Sequence, residues 1–228
     1  NKIYPNVKIN LSYSTWDEYW NKLEASASSN QLADLVTMHT NTIEMYVNND
    51  FMADLTDLDK IDPNFSYDNH PEDVKKLYRF KDKMWGVPKD FDCIVLVYNK
   101  TMFDEKGLEY PTDDWTWDDL ENAAKALTDK ANNKYGFGCR NNEQDGWGSF
   151  LYQNGGGILN ADGTKSMLSD PKTIEAMEWF MHMYENYSPS ASAYAESDAQ
   201  TIFAAGTVAM QTIGNWDMNF YTDNEALA

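Results

Sequence analysis

The order of apolar and polar residues predicts strands and helices that alternate along the chain. Residues 7–13 alternate in polarity and residues 33–38 form a short apolar run, so both are predicted strands. Between them, apolar residues recur at helical spacing from Trp16 to Ala27, and we expect the aromatic residues of this stripe in the core. Strand and helix in alternation are typical of a parallel sheet with helical crossovers. The pattern therefore indicates an α/β fold.

The most apolar run lies near the middle of the chain. Residues 94–98 carry no charge and are predicted to form a strand that is buried on both faces. Pro88 restricts its own φ and favours an extended Val87, so the chain enters this strand from a defined direction. Asp90 and Asp92 stand where an open loop becomes this strand. Carboxylates in that position face either a ligand or water, and both interpretations are open here.

The second half of the chain carries clear helix start signals. Thr116 and Asp119 have the spacing of a capping box, Asp170 precedes a proline, and Ser197 with Gln200 predicts the start of a short helix. The helix after Asp170 is predicted to turn one apolar stripe inward, namely Ile174, Met177, Met181 and Tyr184. Residues 208–213 are a further apolar strand candidate, which ends at Gly214-Asn215-Trp216.

Composition narrows the class of protein. The chain has 228 residues, enough for one large domain or two modest ones, and 42% of them are hydrophobic, enough for a core. Its formal net charge of −19 is spread along the chain, which argues against nucleic acid as a partner. No apolar run reaches the roughly 18 residues of a membrane span. The two cysteines, Cys93 and Cys139, rule out a disulfide scaffold and are interpreted as small buried thiols.

Motifs for metal, phosphate or nucleophilic chemistry are missing from the sequence. It contains no H-E-x-x-H, C-x-x-C, G-x-S-x-G or P-loop pattern, and the acids around Asp57 lack the glycine and glutamate of a calcium loop. We therefore expect no cofactor and no metal site. A glycoside hydrolase needs two carboxylates roughly 5–9 Å apart. Acids are abundant but no pair stands out, so this class remains an alternative.

Two tryptophans lie outside every helical stripe. Trp147 and Trp216 each occupy a loop beside a glycine-containing turn, where an aromatic ring either closes the edge of a core or presents a face to a ligand. A flat apolar face with polar neighbours suits a sugar, whose C–H faces stack and whose hydroxyls need hydrogen-bond partners. Asp92, Asn41 and Asn215 could supply those partners.

An ordered set of short motifs resembles one protein family. The set begins with Y-P-N-V-K-I, A-D-L-V-T-M and F-M-A-D-L-T-D-L and continues with W-G-V-P, V-Y-N-K-T-M-F and W-T-W-D-D-L. It ends with G-G-G-I-L and F-A-A-G-T-V-A-M-Q-T-I-G-N-W. Each motif alone is weak, but in this order they resemble the extracellular solute-binding proteins of family 1, the sugar-binding components of ABC importers. The resemblance covers residues 4–216.

The resemblance implies a fold of two α/β lobes, of the periplasmic-binding-protein-like type II. Each lobe would be doubly wound, a hinge would join them, and the ligand would lie in the cleft between them. Residues 1–91 would form the first lobe, and residues 92–228 the first hinge crossing and the second lobe. The family's first strand would lie before residue 1 and its return crossings after residue 228. The sequence is therefore interpreted as an incomplete excerpt of a longer protein.

Residue by residue, the resemblance also suggests ligand contacts. His39, Asn41 and Thr42 would lie at the cleft edge of the first lobe, and Asp92 resembles the family's acidic sugar contact at the hinge. Trp216 matches the stacking aromatic of the second lobe. Trp147 matches less closely, because its loop varies in length within the family.

The function implied is non-catalytic binding of a monosaccharide or oligosaccharide for delivery to the permease of an ABC importer by hinge closure. The protein would be an extracellular monomer of a Gram-positive bacterium, anchored by lipid to the outer face of the cytoplasmic membrane through a cysteine upstream of residue 1, or else periplasmic. A receptor for a peptide or a polyamine is the alternative, with a glycoside hydrolase as the less favoured one.

Overall fold

The computed structural model describes residues 4–224, which form two compact units. Unit 1 is Asn1–Phe91 and unit 2 is Asp92–Ala228. The boundary between the units coincides with the lobe boundary expected from the family resemblance, although their role as two lobes of a hinged protein stays a prediction. Among the described residues, no helix is both long and apolar enough to cross a bilayer.

Unit 1 is mainly helical. Its elements are α1 Trp16–Ser28, α2 Ile43–Asn48, α3 Leu58–Ile61, a 3₁₀ turn Tyr67–Asn69, α4 Glu72–Lys76, and an antiparallel pair of short strands, β1 Arg79–Phe80 and β2 Lys83–Met84. Leu23 and Ala27 of α1 pack in one buried cluster with Ile43, Tyr46 and Val47 of α2. The apolar stripes of the first two helices therefore build the core of this unit.

The prediction of two strands in the first part of unit 1 is wrong. Residues 7–13 and 33–38 form no ladder in the described structure, and Leu11 and Leu35 are 81% and 92% exposed. A strand exists only where a neighbouring segment pairs with its N–H and C=O groups. The described residues of unit 1 offer these segments no such neighbour, so the parallel sheet expected in this half is not present among them.

Unit 2 combines helices with a three-stranded sheet. Its strands are β3 Ile94–Tyr98, β4 Tyr135–Gly138 and β5 Val208–Gly214. Its α-helices are α5 Lys100–Lys106, α6 Trp117–Leu127, α7 Gly148–Gln153, α8 Pro171–Tyr187, α9 Ala191–Glu196, α10 Ala199–Ala204 and α11 Met218–Thr222. Three short turns complete it, Lys130–Asn132, Glu143–Trp147 and Asn215–Asp217.

The sheet of unit 2 brings three chain segments to one edge. The strand order is β3-β5-β4, with β5 antiparallel to β3 and parallel to β4. Ile94 at the start of β3 pairs with Gly214 at the end of β5, and Gly138 at the end of β4 pairs with Gln211. The segments that follow β4 and β5 and the one that precedes β3 therefore meet at this edge, which we call the carboxyl edge.

The prediction that β3 is buried on both faces is wrong, and the central, buried strand is β5. β3 has the predicted bounds, but it pairs on one side only in the described sheet, and Val95 is 41% exposed. In β5, Val208, Met210 and Ile213 are fully buried because the strand is central. A continuous apolar run is typical of such a strand.

The capping predictions hold at two helices of unit 2. At α6, the Thr116 hydroxyl accepts the backbone N–H of Asp119 while the Asp119 carboxylate accepts that of Thr116. At α8, the Asp170 carboxylate accepts a backbone N–H of the first turn and proline occupies the first position. At α10, the capping residue is Asp198 and not the predicted Ser197.

The face of α8 that packs into the core differs from the prediction. The buried residues are Thr173, Ala176, Phe180 and Met183. Of the predicted stripe of Ile174, Met177, Met181 and Tyr184, Tyr184 is half-buried and packs against the core. Ile174 and Met181 are 43% and 44% exposed. The helix carries two apolar stripes, and periodicity alone does not decide which of them meets the sheet.

Only one of the two cysteines is a buried thiol. Both are free, Cys93 is exposed, and Cys139 is buried directly after β4. Burial raises the pKa of the Cys139 thiol. The prediction of two buried thiols is thus wrong for Cys93.

The contact between β4 and α6 leaves no room for a side chain at Gly136, and this gives the first testable prediction. A Cβ there would lie 1.9 Å from the backbone oxygen of Ala124. We expect Gly136→Ala to lower the free energy of unfolding of unit 2 by about 3 kcal/mol, because backbone must move. Urea unfolding measures this.

Gly157→Ala is the matched control for Gly136→Ala. The nearest atom to a Cβ at Gly157 is 3.3 Å away and belongs to the ring of the exposed Tyr152, which can shift. We expect a cost below about 1 kcal/mol for this variant. Equal stability of the two variants would contradict the close helix–strand contact.

Candidate functional site

Three of the predicted site residues meet at the carboxyl edge of unit 2. Asp92 lies two residues before the start of β3, whereas Asn215 and Trp216 are the first two residues after β5. Oδ1 of Asp92 accepts the backbone N–H of Asn215 at 2.9 Å and that of Cys93 at 2.9 Å. The second carboxylate oxygen makes no hydrogen bond within the described structure, and Asp92 is exposed. The carboxylate is thus fixed through one oxygen, while the other faces solvent.

The ring of Trp216 lies against the backbone of Gly214. A Cβ at Gly214 would lie 2.2 Å from two indole carbons, Cη2 and Cζ3. The φ of Gly214 is −94°, so space for the ring, and not an unusual backbone conformation, requires glycine here. Trp216 is still 46% exposed. The exposed side chain of Asn215 makes no hydrogen bond to any described residue. An aromatic surface, an amide and a carboxylate oxygen therefore lie side by side.

A buried ion-pair cluster lies next to this group. The Arg140 guanidinium pairs with the buried Asp145 carboxylate and lies 3.9 Å from that of Asp217. Asp217 accepts a hydrogen bond from Nε2 of Gln200 at 2.6 Å. Burial raises the pKa of the Asp217 carboxyl, and Gln200 and Arg140 lower it by less. Asp217, the residue after Trp216, is therefore held by Gln200 on one side and Arg140 on the other.

A hydrogen bond ties the turn Glu143–Trp147 to the central strand. Oγ1 of Thr212 in β5 donates to the carbonyl of Asp145 at 2.6 Å. The turn is kinked at Gly146, where a Cβ would lie 2.2 Å from the carbonyl oxygen of Arg140. The turns that follow β4 and β5 are thus fixed to the same edge.

Trp147 occupies this edge in a different setting from Trp216. It is half-buried and packs against the core of unit 2. It also lines a cavity of about 620 Å³ within unit 2, together with Arg140 and Asn141. Trp147 thus closes the edge of the core and also lines the cavity, and its contact with a ligand stays a prediction.

The remaining predicted residues form a cluster in unit 1. The backbone N–H of Asn41 donates to Nδ1 of His39 at 3.2 Å, and Oγ1 of Thr42 donates to the carbonyl of His39 at 3.1 Å. The ring of Trp16 lies edge-on to His39, with 5.7 Å between the centroids. Trp16 is 61% exposed, so its assignment to the core is wrong. The helical stripe extends one turn beyond the part of α1 that is buried.

Four residues at or beside these groups were not predicted as site residues from the sequence, namely Gly214, Arg140, Asn141 and Trp16. Gly214 had a usable signal, because it ends an apolar strand two residues before a tryptophan. Arg140 had none, since its partners Asp145 and Asp217 are separated from it by 5 and 77 positions in the sequence. Asp90, left without a role by the sequence, forms an exposed ion pair with Lys89. No group of three or more His, Cys, Asp or Glu residues in the described structure is placed to hold a metal ion.

A family model described as a bacterial extracellular solute-binding protein matches residues 1–226. The chain therefore belongs to this family. The resemblance inferred from the ordered motifs is confirmed. A protein of Brucella abortus (strain 2308) that is named as a binding protein is 27% identical over 217 residues, which are 90% of this chain and 50% of that protein.

Solved structures confirm the periplasmic-binding-protein-like α/β class. An ABC substrate-binding protein of Listeria monocytogenes in complex with cycloalternan has a TM-score of 0.90 and 28% identity, over 98% of this chain and 58% of that chain. A solute-binding protein of an ABC transporter from Thermotoga lettingae, bound with α-D-tagatose, has a TM-score of 0.79 and 27% identity, over 90% of this chain and 53% of that chain. The chain spans about half the length of these relatives.

Gly214→Ala should displace the indole of Trp216. With 5-fluorotryptophan in all 8 tryptophan positions, ¹⁹F NMR resolves the rings, and the Trp216 signal is the one lost in Trp216→Phe. We expect that signal to shift in Gly214→Ala because the ring must leave the space now filled by Cβ, while the other seven stay in place. An unmoved Trp216 signal would contradict the contact.

Asp217→Asn should stabilise unit 2 at pH 7 and lose this effect in acid. A carboxyl whose pKa is raised by folding binds its proton more tightly in the folded state, so the wild type gains stability as the pH falls through the folded pKa. The asparagine keeps the acceptor for Gln200 and carries no charge. Urea unfolding between pH 7 and about 3 checks this. Asp223→Asn, on an exposed residue, is the control, and a pH-independent difference for Asp217→Asn would contradict the prediction.

Proposed function

We propose that the protein binds a carbohydrate outside the cell, without chemical change, and delivers it to the permease of an ABC importer. The observation that carries this proposal is the group of Trp216, Asn215 and Asp92 at the carboxyl edge. The related Listeria and Thermotoga proteins, which bind cycloalternan and tagatose, support the same class of ligand.

The chemistry of the group matches that of a sugar. An exposed indole offers a flat apolar surface for the C–H face of a pyranose ring. The free amide of Asn215 offers both donors and an acceptor, and the free oxygen of Asp92 accepts from a hydroxyl. Hydrogen bonds to an ionised acceptor are stronger than neutral ones, so Asp92 would fix the orientation of the bound ring.

We propose that units 1 and 2 are the two lobes, residues 1–91 and 92–228, of a hinged receptor. Hinge closure around a ligand is known for periplasmic binding proteins. In this mechanism the sugar binds the carboxyl edge of unit 2, and contacts from His39, Asn41 and Thr42 of unit 1 then favour the closed form. The permease would recognise that form. We further propose a monomer that is lipid-anchored or periplasmic.

Trp216→Ala should weaken carbohydrate binding by at least tenfold, which corresponds to about 1.4 kcal/mol. The measurement is isothermal titration of the full-length protein against a panel of monosaccharides, oligosaccharides and polyols. Trp216→Phe is the matched control, because it keeps a stacking ring and should stay within threefold of the wild type. Small-angle scattering of the same samples reports closure as a fall in the radius of gyration.

Two outcomes would count against these proposals. A wild-type protein that binds no member of the panel would refute the carbohydrate assignment. A ligand that binds with unchanged affinity to Trp216→Ala would refute the role of the indole and leave the ligand class standing.

A further inference from the structure

The cavity beside Trp147 has the size of a ligand pocket and is partly open to solvent. Its volume is about 620 Å³, and its walls come from unit 2 alone, from the segment after β4 and from α8 and α9. Ligand pockets in proteins commonly measure roughly 300–1,000 Å³. The space therefore exceeds what a single side chain or one water molecule would fill.

The wall of the cavity includes an apolar stripe at the border of the core. Met177, Met181 and Tyr184 of α8 line it beside the core-facing side of that helix, next to the buried Phe180. Met181 alone is 44% exposed. Covering apolar surface of this kind is favourable because it removes that surface from water. Three residues of the stripe that was predicted to face the core thus offer an apolar surface to a ligand.

The rim of the cavity is polar. The side chain of Asn141 is exposed and makes no hydrogen bond to any described residue. Its neighbour Asn142 is engaged, since Oδ1 accepts the backbone N–H of Asp145 at 3.0 Å. Arg140 is engaged in its ion pairs. An apolar wall with a free amide at its rim is complementary to the C–H faces and hydroxyls of a sugar ring.

The cavity lies near the turn that carries Trp216 at the carboxyl edge. Arg140 at the rim lies 3.9 Å from Asp217, the residue after Trp216. The two turns follow β4 and β5, which are neighbours in the sheet and thus about 4.8 Å apart. We infer that the cavity is a second carbohydrate subsite, and that the ligand is an oligosaccharide instead of a monosaccharide or a polyol. This inference rests on the proposed function.

The experiment compares affinities along series of increasing chain length. The full-length protein is titrated calorimetrically with glucose, maltose, maltotriose and maltotetraose, with the corresponding isomalto- and xylo-oligosaccharides, and with ribitol and mannitol. Ala195→Phe fills the cavity from an exposed position on α9, so it can do so without disturbing the core. Asn141→Ala removes the free amide. Tyr152→Ala, on an exposed aromatic outside the cavity, is the control.

In at least one of the three series, we expect the trisaccharide to bind at least tenfold more tightly than the monosaccharide. Ala195→Phe should reduce that gain below threefold while the affinity for one ring stays unchanged, and Asn141→Ala should reduce it partly. Equal affinities for one and three rings, or a gain that survives Ala195→Phe, would overturn the subsite and leave the proposed function intact. Failure to bind any sugar or polyol would overturn the proposed function and the subsite with it.

Discussion

Backbone pairing on both sides of β5 is the constraint on which unit 2 depends. The strand is antiparallel to β3 and parallel to β4, and its side chains are buried or half-buried throughout. The end of β5 cannot shift along either neighbour without breaking a ladder, because a slip of one residue would turn every side chain to the opposite face. Asp92, Asn215 and Trp216 take their relative positions from this register, since they are attached to the paired ends of β3 and β5.

Short contacts to backbone, and not long flexible side chains, complete the arrangement. Asp92 is fixed by two N–H groups, Trp216 by the bare backbone of Gly214, and the turn with Trp147 by the bond from Thr212 to a carbonyl. Groups that are ordered before the ligand arrives lose little conformational entropy when it binds. More of the contact free energy between ligand and protein is then available as affinity.

Much of the fold was predictable from local sequence, and the rest depends on distant residues. The bounds of β3, the start of β5 and the cap at Thr116 follow from runs and spacings within a few positions. The inward face of α8 does not, because it is chosen by what packs against the helix. Residues 7–13 have the pattern of a strand, but the pattern contains no information about a partner. At the site, Trp216 was predictable as a loop aromatic, whereas its contact with Gly214 required coordinates.

The ion pairs of Arg140 have a consequence for the net charge of acceptable ligands. Two buried carboxylates flank this one guanidinium, so its positive charge is already compensated. An incoming carboxylate or phosphate would meet no unpaired cation there, and it would face the repulsion of Asp145 in a region that screens charge poorly. A neutral solute pays no such electrostatic penalty. The carboxyl edge thus offers an anionic ligand no unpaired cation at Arg140.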